Sequence, residues 1–416
     1  MNILRTIMAS FLGLFALTAT AQKFLGGDIS LLPTYEEHNA HFMTQDGAKI
    51  PDLLDFFKQK GWNCMRVRLF VEPSRASDEH KGQGVRQDLD YVAKLGRRIK
   101  EAGLKFMLDF HYSDTWADPA HQATPYQFLR VNTPAYEYIY DYTRDCLRQL
   151  VEAGATPDFI QTGNEISWGM MYDSGCKLEH NSAWNGYNDT HWNTFATALR
   201  NAGRACREVC PDAKIIIHTE QAANTPLVTD FYRRLAAHNV DYDIIGTSYY
   251  PYFHGTLSQL EKTIAQFGSQ FADKQVMVVE TGCSYRYKVG DNDQVYPLTY
   301  EGQRQFTADL VAMLNKHKNV TGLFWWFPEA NEYGLDWATQ RVTDEWYNAS
   351  LFDNATGRAL PALDELEKFL VNDDANVPIV EVSPDFQHWY TLDGRFTTKP
   401  SMSGVYIRGH EKIVVK

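Results

Sequence analysis

Two glutamates stand where the cleavage of a glycosidic bond would need them. Phe159-Ile-Gln-Thr-Gly-Asn164-Glu165-Ile166 sets an apolar stretch ahead of an Asn-Glu pair. Val276-Met-Val-Val-Glu280-Thr-Gly282 ends a β-branched run in a second glutamate. Such chemistry takes two carboxyl groups across the scissile bond, about 5–5.5 Å apart when configuration is retained. One must keep its proton near neutral pH while the other stays ionised. Glu165 is the candidate acid/base and Glu280 the candidate nucleophile. Asn164 can give an amide proton to a sugar 2-hydroxyl. Taken singly, the first motif also reads as a helix cap and the second as a strand-end charge. Their order along the chain, three βα units apart, argues more than either alone.

Other strand ends supply polar and aromatic partners. Met65-Arg66-Val67-Arg68-Leu69 alternates its cations, which predicts one facing inward and one outward. Arg68, nearer the strand end, is the candidate guanidinium that keeps the nucleophile ionised. The run Asp109–Trp116 offers His111 as a donor and Trp116 as an aromatic platform. Tyr250 follows the sixth strand and can hydrogen-bond the nucleophile. Trp326 ends the last strand as the floor of a central sugar site, with Trp325 turned to the core. His218 ends the fifth strand and joins the binding set. For each of these, the alternative is a satisfied core residue.

These groups converge only if their strands are parallel and closed. Strands are predicted at Leu25–Ile29, Cys64–Phe70, Lys105–His111, Phe159–Asn164, Lys214–His218, Ile244–Tyr249, Val276–Glu280 and Gly322–Trp326. Amphipathic helices lie between them, several ending in glycine, as at Lys60-Gly61, Ala102-Gly103 and Ala153-Gly154. Eight such units predict an α/β fold, a (β/α)8 TIM barrel with its site at the strand C-termini. A doubly wound sheet is disfavoured because no G-x-G-x-x-G follows the first strand. The long stretches Ser167–Asp189, Ser284–Thr299 and Pro328–Asn348 would all crown the same face.

The 416 residues carry a formal charge of −12, which disfavours nucleic acid, anionic membranes and strongly anionic polymers as partners. The expected partner is a neutral polysaccharide. Residues 1–21 read as a signal peptide: Arg5, an apolar run to Leu17, then a small-residue cleavage site before Gln22. The chain is therefore expected to be exported, to a periplasmic, cell-surface or extracellular location, with no membrane span. The six cysteines have no C-x-x-C spacing, which argues against zinc. Cys176 and Cys283 could meet as a disulfide; the alternative is buried free thiols. The barrel is expected over 22–372, a linker over 373–378, and a short β-rich tail over 379–416 that resembles a C-terminal sorting module.

The motifs together resemble clan A glycoside hydrolases, and within them family 53, the arabinogalactan endo-β-1,4-galactanases. The most specific run is Asp109-Phe-His-Tyr-Ser-Asp-Thr-Trp-Ala-Asp-Pro-Ala-His-Gln122. Gly163-Asn-Glu-Ile166, Val278-Val-Glu-Thr281, Gly246-Thr-Ser-Tyr-Tyr-Pro-Tyr252, Gly322-Leu-Phe-Trp-Trp326 and Val67–Pro73 also match. The resemblance implies a retaining endo-glycosidase acting on β-1,4-galactan of pectin side chains. It implies Glu165 as acid/base, Glu280 as nucleophile, and Arg68, His111, Asn164, Tyr250 and Trp326 around the central subsite. The rival readings are the same chemistry on another β-glycan such as mannan, or a non-catalytic glycan-binding barrel. The chain departs from the family at Glu220, where Asp is common, and at Phe327, where Glu is common. No cofactor is required. Relatives can bind calcium in the loop after the seventh strand, where Asp291, Asn292 and Asp293 would suit a structural calcium.

Overall fold

A computed structural model describes residues 22–371, apart from 184, 290–294, 345 and 347–348, and strands within 389–415. The expected leader, the acidic residues Asp291 and Asp293, and the linker at 373–378 lie outside the described residues. The chain divides into two units, one ending at Val371 and one beginning at Asn372. In the second, strands Trp389–Thr391, Phe396–Thr397, Gly404–Arg408 and Glu411–Val415 form an antiparallel sheet.

The first unit is a closed barrel of eight parallel strands. They are β1 (Phe24–Asp28), β2 (Cys64–Leu69), β3 (Lys105–Phe110), β4 (Phe159–Thr162), β5 (Lys214–Thr219), β6 (Ile244–Tyr249), β7 (Gln275–Thr281) and β8 (Val320–Trp326). The expected TIM barrel is thus what forms. Several of its intervening helices begin where polar side chains satisfy their first free N–H groups. Asp88 accepts from Tyr91 N ahead of Leu89–Glu101, and Thr256 and Gln259 make a reciprocal capping box ahead of Leu257–Gln270. Gly103 and Gly154 take the left-handed backbone that stops two of the helices (φ 74° and 77°).

Two apolar layers hold the barrel. Outward residues such as Met65, Val67, Phe106 and Leu108 pack under the helices. Each large side chain fully buried there contributes roughly 1.5–3 kcal/mol. Inward residues Cys64, Met107, Phe159, Ile216, Ile244, Met277, Val279 and Phe324 plug the interior. A polar layer sits above that plug, and the cleft above the polar layer.

One local irregularity decides where Glu280 points. Met277 and Val279 face the interior, so strict alternation would turn Glu280 outward. But beyond Val278, β7 holds one residue more than both neighbours. Thr247 and Ser248 pair with Val278 and Glu280, while Leu323 and Trp325 pair with Val278 and Thr281. The extra residue re-aims the carboxyl towards the mouth, as bulges beside functional sites do.

Candidate active site

Arg66 is the electrostatic centre of the polar layer. It is wholly buried, and donates to Asp28 Oδ2 (2.9 Å), Asp109 Oδ2 (2.7 Å), Asn164 Oδ1 (2.9 Å) and Glu280 Oε1 (2.8 Å). This corrects the expectation for Arg68. Residues two apart on a strand share a face, so Cys64, Arg66 and Arg68 all point inward; neither cation turns out. Arg66 reaches the candidate nucleophile, whereas Arg68 binds Asp28 Oδ1 at 2.8 Å. The Arg68 guanidinium also lies 4.7 Å, 5.1 Å and 4.8 Å from the ring centres of Trp116, Trp326 and Phe327. It therefore braces the aromatic floor through cation–π contacts.

The two glutamates occupy unlike settings. β4 stops at Thr162, two residues short of the predicted Asn164, because Gly163 (φ 97°) and Glu165 (φ 50°) turn the backbone sharply. A left-handed backbone at a non-glycine residue is strained and recurs at functional sites. Glu165 accepts a 2.6 Å hydrogen bond from Ser248 Oγ. Glu280 accepts from Arg66 and, on Oε2, from Tyr250 Oη at 3.1 Å. Burial raises both acids. Glu280 is pushed to about 7 against the opposing pull of Arg66. Glu165 is driven well above the carboxylate range by burial, then by the charges of Glu280 and Glu220. Glu165 keeps a partial opening to the cleft, but protein atoms surround its carboxyl.

Charge balance decides which of the pair ionises first. Arg66 and Arg68 face Asp28, Asp109 and Glu280, two cations against three carboxylates. A further buried negative charge on Glu165 would have no cation beside it, so Glu165 is the one that keeps its proton.

Above this layer opens a cleft of about 400 Å³ lined by both glutamates, Asn164, His111, Tyr250, Trp116 and Trp326. Trp326 stacks on Phe327 at 4.5 Å between ring centres. His111 Nδ1 accepts from the Ala117 N–H at 3.0 Å, which leaves the proton on Nε2, 3.0 Å from Asp109. Asn164 Nδ2 donates to the Ala117 carbonyl at 2.7 Å. His218 does not reach the cleft: it is fully buried, in contact with Ser248 and Asn164. Trp325 packs in the core and donates to the Ala349 carbonyl. All six cysteines are buried free thiols, so Cys176 and Cys283 are not joined.

Several cleft residues were not singled out from the sequence. Arg66 was legible from two-residue spacing. Phe253 and Trp346 come from loops, and Glu79 and His80 from a one-turn helix at Asp78–Gly82, all too short or irregular for periodicity to mark a direction. Glu220 is largely buried and accepts from Ser167 Oγ at 2.8 Å, and it lines a second cavity that shares Phe253 with the cleft.

Glu329 is a further buried acid, below the floor. Its Oε1 accepts from the Leu31 N–H at 3.0 Å, while Oε2 has no partner. Burial, with Asp28 adding, raises it from 4.5 to about 8. A raised carboxyl stabilises the fold below its unfolded pKa, and that contribution is lost as pH rises through the folded value. Glu329→Gln should therefore flatten the fall in stability between pH 4.5 and about 8. Melting temperatures of wild type and variant across that window would show it. Parallel curves would rule the assignment out.

Known proteins share this arrangement over most of its length. The chain is 31% identical over 365 residues to the "uncharacterized protein in bgaB 5'region" of Niallia circulans, covering 84% of this chain and 94% of that one. It is 28% identical to the endo-beta-1,4-galactanase of Bacillus subtilis (strain 168), over 81% of this chain and 84% of that one. The GH53 catalytic domain of Ignisphaera aggregans superposes with a TM-score of 0.70 at 28% identity, covering 84% of this chain and 96% of that one. The model of glycosyl hydrolase family 53 matches residues 24–366, the whole barrel with every side chain of the cleft. With that match spanning both glutamates and the strands that aim them, the chain belongs to glycosyl hydrolase family 53.

Proposed function

We propose that this protein is an endo-β-1,4-galactanase that hydrolyses internal bonds of galactan or arabinogalactan with retention of configuration. The observation that carries this reading is the pair of carboxyls in one cleft with opposite support. Glu280 has a cation and a phenol donating to it, and Glu165 has a hydroxyl and a desolvated setting. Glu280 attacks the anomeric carbon while Glu165 protonates the departing oxygen. Water then enters, Glu165 takes its proton, and the galactosyl–Glu280 bond breaks. The reaction uses no cofactor. Trp326 and Trp116 offer the apolar faces of a sugar ring a surface to stack on. The acidic surface favours a neutral polymer. The galactan assignment draws on the activity named for the Bacillus subtilis relative. No helix among the described residues is long and apolar enough to cross a membrane, and we infer export through residues 1–21, with pectin side chains as the natural source of substrate.

The deciding experiment is product analysis on β-1,4-galactan with the anomeric configuration followed in time. Internal cleavage with first-formed β-products is expected. Equal or better release from mannan, or α-anomers first, would overturn the reading. Glu165→Gln is expected to lower kcat on galactan by about 10²- to 10⁴-fold. Aryl galactosides with acidic leaving groups should lose much less in the first step, because they need little protonation. Stopped-flow release of the phenol reads that difference directly.

A further inference from the structure

A second cavity, of about 320 Å³, adjoins the cleft over β5 and β6, and Phe253 lines both. Substrate must pass between Glu165, after β4, and Glu280, on β7. The line joining them divides the barrel mouth. The half formed by β8, β1, β2 and β3 carries the tryptophan floor, with the ring centres of Trp116 and Trp326 6.1 Å apart. The half formed by β5 and β6 carries the second cavity. A sugar attacked by Glu280 rests on Trp326, so the departing chain extends over the other half. The acid is tied to that half: Ser167, two residues after Glu165, donates at 2.8 Å to Glu220, which lines the second cavity. The 4-oxygen of galactose is axial, so each link turns the chain away from the plane of the ring before it. A chain that starts on the floor therefore climbs a wall, and Phe253 stands on the wall.

Phe253 is 46% exposed. A lone exposed ring is ordinary, but this one is held in place. The N–H groups of Phe253 and His254 donate to the Tyr250 carbonyl at 3.1 and 2.9 Å, and the Tyr250 N–H donates to His254 Nδ1 at 3.1 Å. Tyr250 in turn donates to Glu280, so the same tight turn sets both the ring and a donor to the nucleophile. Much of the remaining lining is polar. Asn185 Nδ2 donates to Asn224 Oδ1 at 2.8 Å, and Asn224 Nδ2 to Asn185 Oδ1 at 3.1 Å. Gln221 Nε2 donates to Glu220 Oε1 at 3.0 Å. Each of these NH2 groups has a second proton beyond that bond. An aromatic face with a few fixed amides suits a sugar, which offers C–H groups on a ring face and hydroxyls around its edge.

We propose that the second cavity binds the second galactosyl unit on the departing side of the scissile bond, with Phe253 as the stacking surface at its entrance and Asn185, Asn224 and Gln221 as partners for its hydroxyls. This rests on the reading of the protein as a galactanase with Glu165 as acid. The cleft reaches from the floor past both carboxyls to Phe253, so the rings on either side of the scissile bond lie within it, and the next ring falls beyond Phe253.

β-1,4-Galactan oligosaccharides labelled at the reducing end report where the full chain cuts them. A substrate that loses its hold on the departing side slides towards the floor and is cut nearer its reducing end. In Phe253→Ala the ratio of labelled one-unit to two-unit fragments should therefore rise roughly 3- to 10-fold. Phe253→Trp should keep the wild-type ratio. The ratio does not depend on how much of the protein is folded, so a purely structural loss would leave it unmoved. Gln221→Ala should shift it the same way by a smaller factor, and decides the matter if Phe253→Ala does not fold. An unchanged ratio, or longer labelled fragments, would overturn the proposal. Absence of any cleavage by the wild-type chain would instead sink the galactan reading on which it rests.

Discussion

Replacing Glu280 with glutamine should lower turnover on β-1,4-galactan by about 10⁴- to 10⁶-fold, the scale on which loss of a nucleophile is felt. The amide keeps the shape of the carboxyl and can still meet Arg66 and Tyr250 through its oxygen and its NH2 group. It cannot attack an anomeric carbon. Binding of galactan oligosaccharides should survive within a few-fold, because the aromatic floor and Asn164 are untouched. Reducing-end release and titration calorimetry on one preparation test both halves. Near-normal turnover would move the nucleophile elsewhere in the cleft. Joint loss of binding and turnover would mean instead that Glu280 shapes the cleft.

Arg66→Met should be the most destabilising single change at the site. Arg66 is buried and meets Asp28, Asp109 and Glu280 at 2.7–2.9 Å. Removing one partner of a buried ion pair strands the others, at a cost of about 3–5 kcal/mol. Those carboxylates would then take up protons, and Glu280 with them. Activity that remains should show its acid limb displaced to higher pH, because a nucleophile without its cation ionises later. Arg68→Met is the control. It leaves both donors to Glu280 in place and loosens the contacts under Trp116 and Trp326, so it should act on KM more than on the acid limb. Chemical denaturation and pH–rate profiles of the two variants separate these roles. An unmoved limb in Arg66→Met would contradict the assignment.

The barrel was legible because its evidence is local and repeated. Apolar strands and glycine-stopped helices alternate from Phe24 onward, and closing them requires no knowledge of distant contacts. The floor tryptophan was legible for the same reason, as the last residue of an apolar strand. The Arg66–Arg68 pair shows where reading went wrong while the information was present. Nearness to the strand end is a weaker guide than face, and two-residue spacing alone puts both guanidiniums inside. His218 was misplaced differently. Its position ends a strand, yet a strand end can lie under the cleft as easily as on its wall, and only the packing of Ser248 and Asn164 around the ring distinguishes the two.

Residue order thus determined the eight-fold alternation, the identity of the two carboxyls and their placement at the ends of the fourth and seventh strands, since strand periodicity and chain order follow from covalent geometry. Three things were decided only by the folded chain. The extra residue in β7 turns Glu280 into the cleft, because register is settled by pairing with both neighbours. The charge balance around Arg66 leaves the proton on Glu165, because burial brings together side chains from four strands and the turn after a fifth. Loop residues such as Phe253 and Trp346 enter the cleft wall, because their direction is set by what they pack against rather than by the sequence on either side.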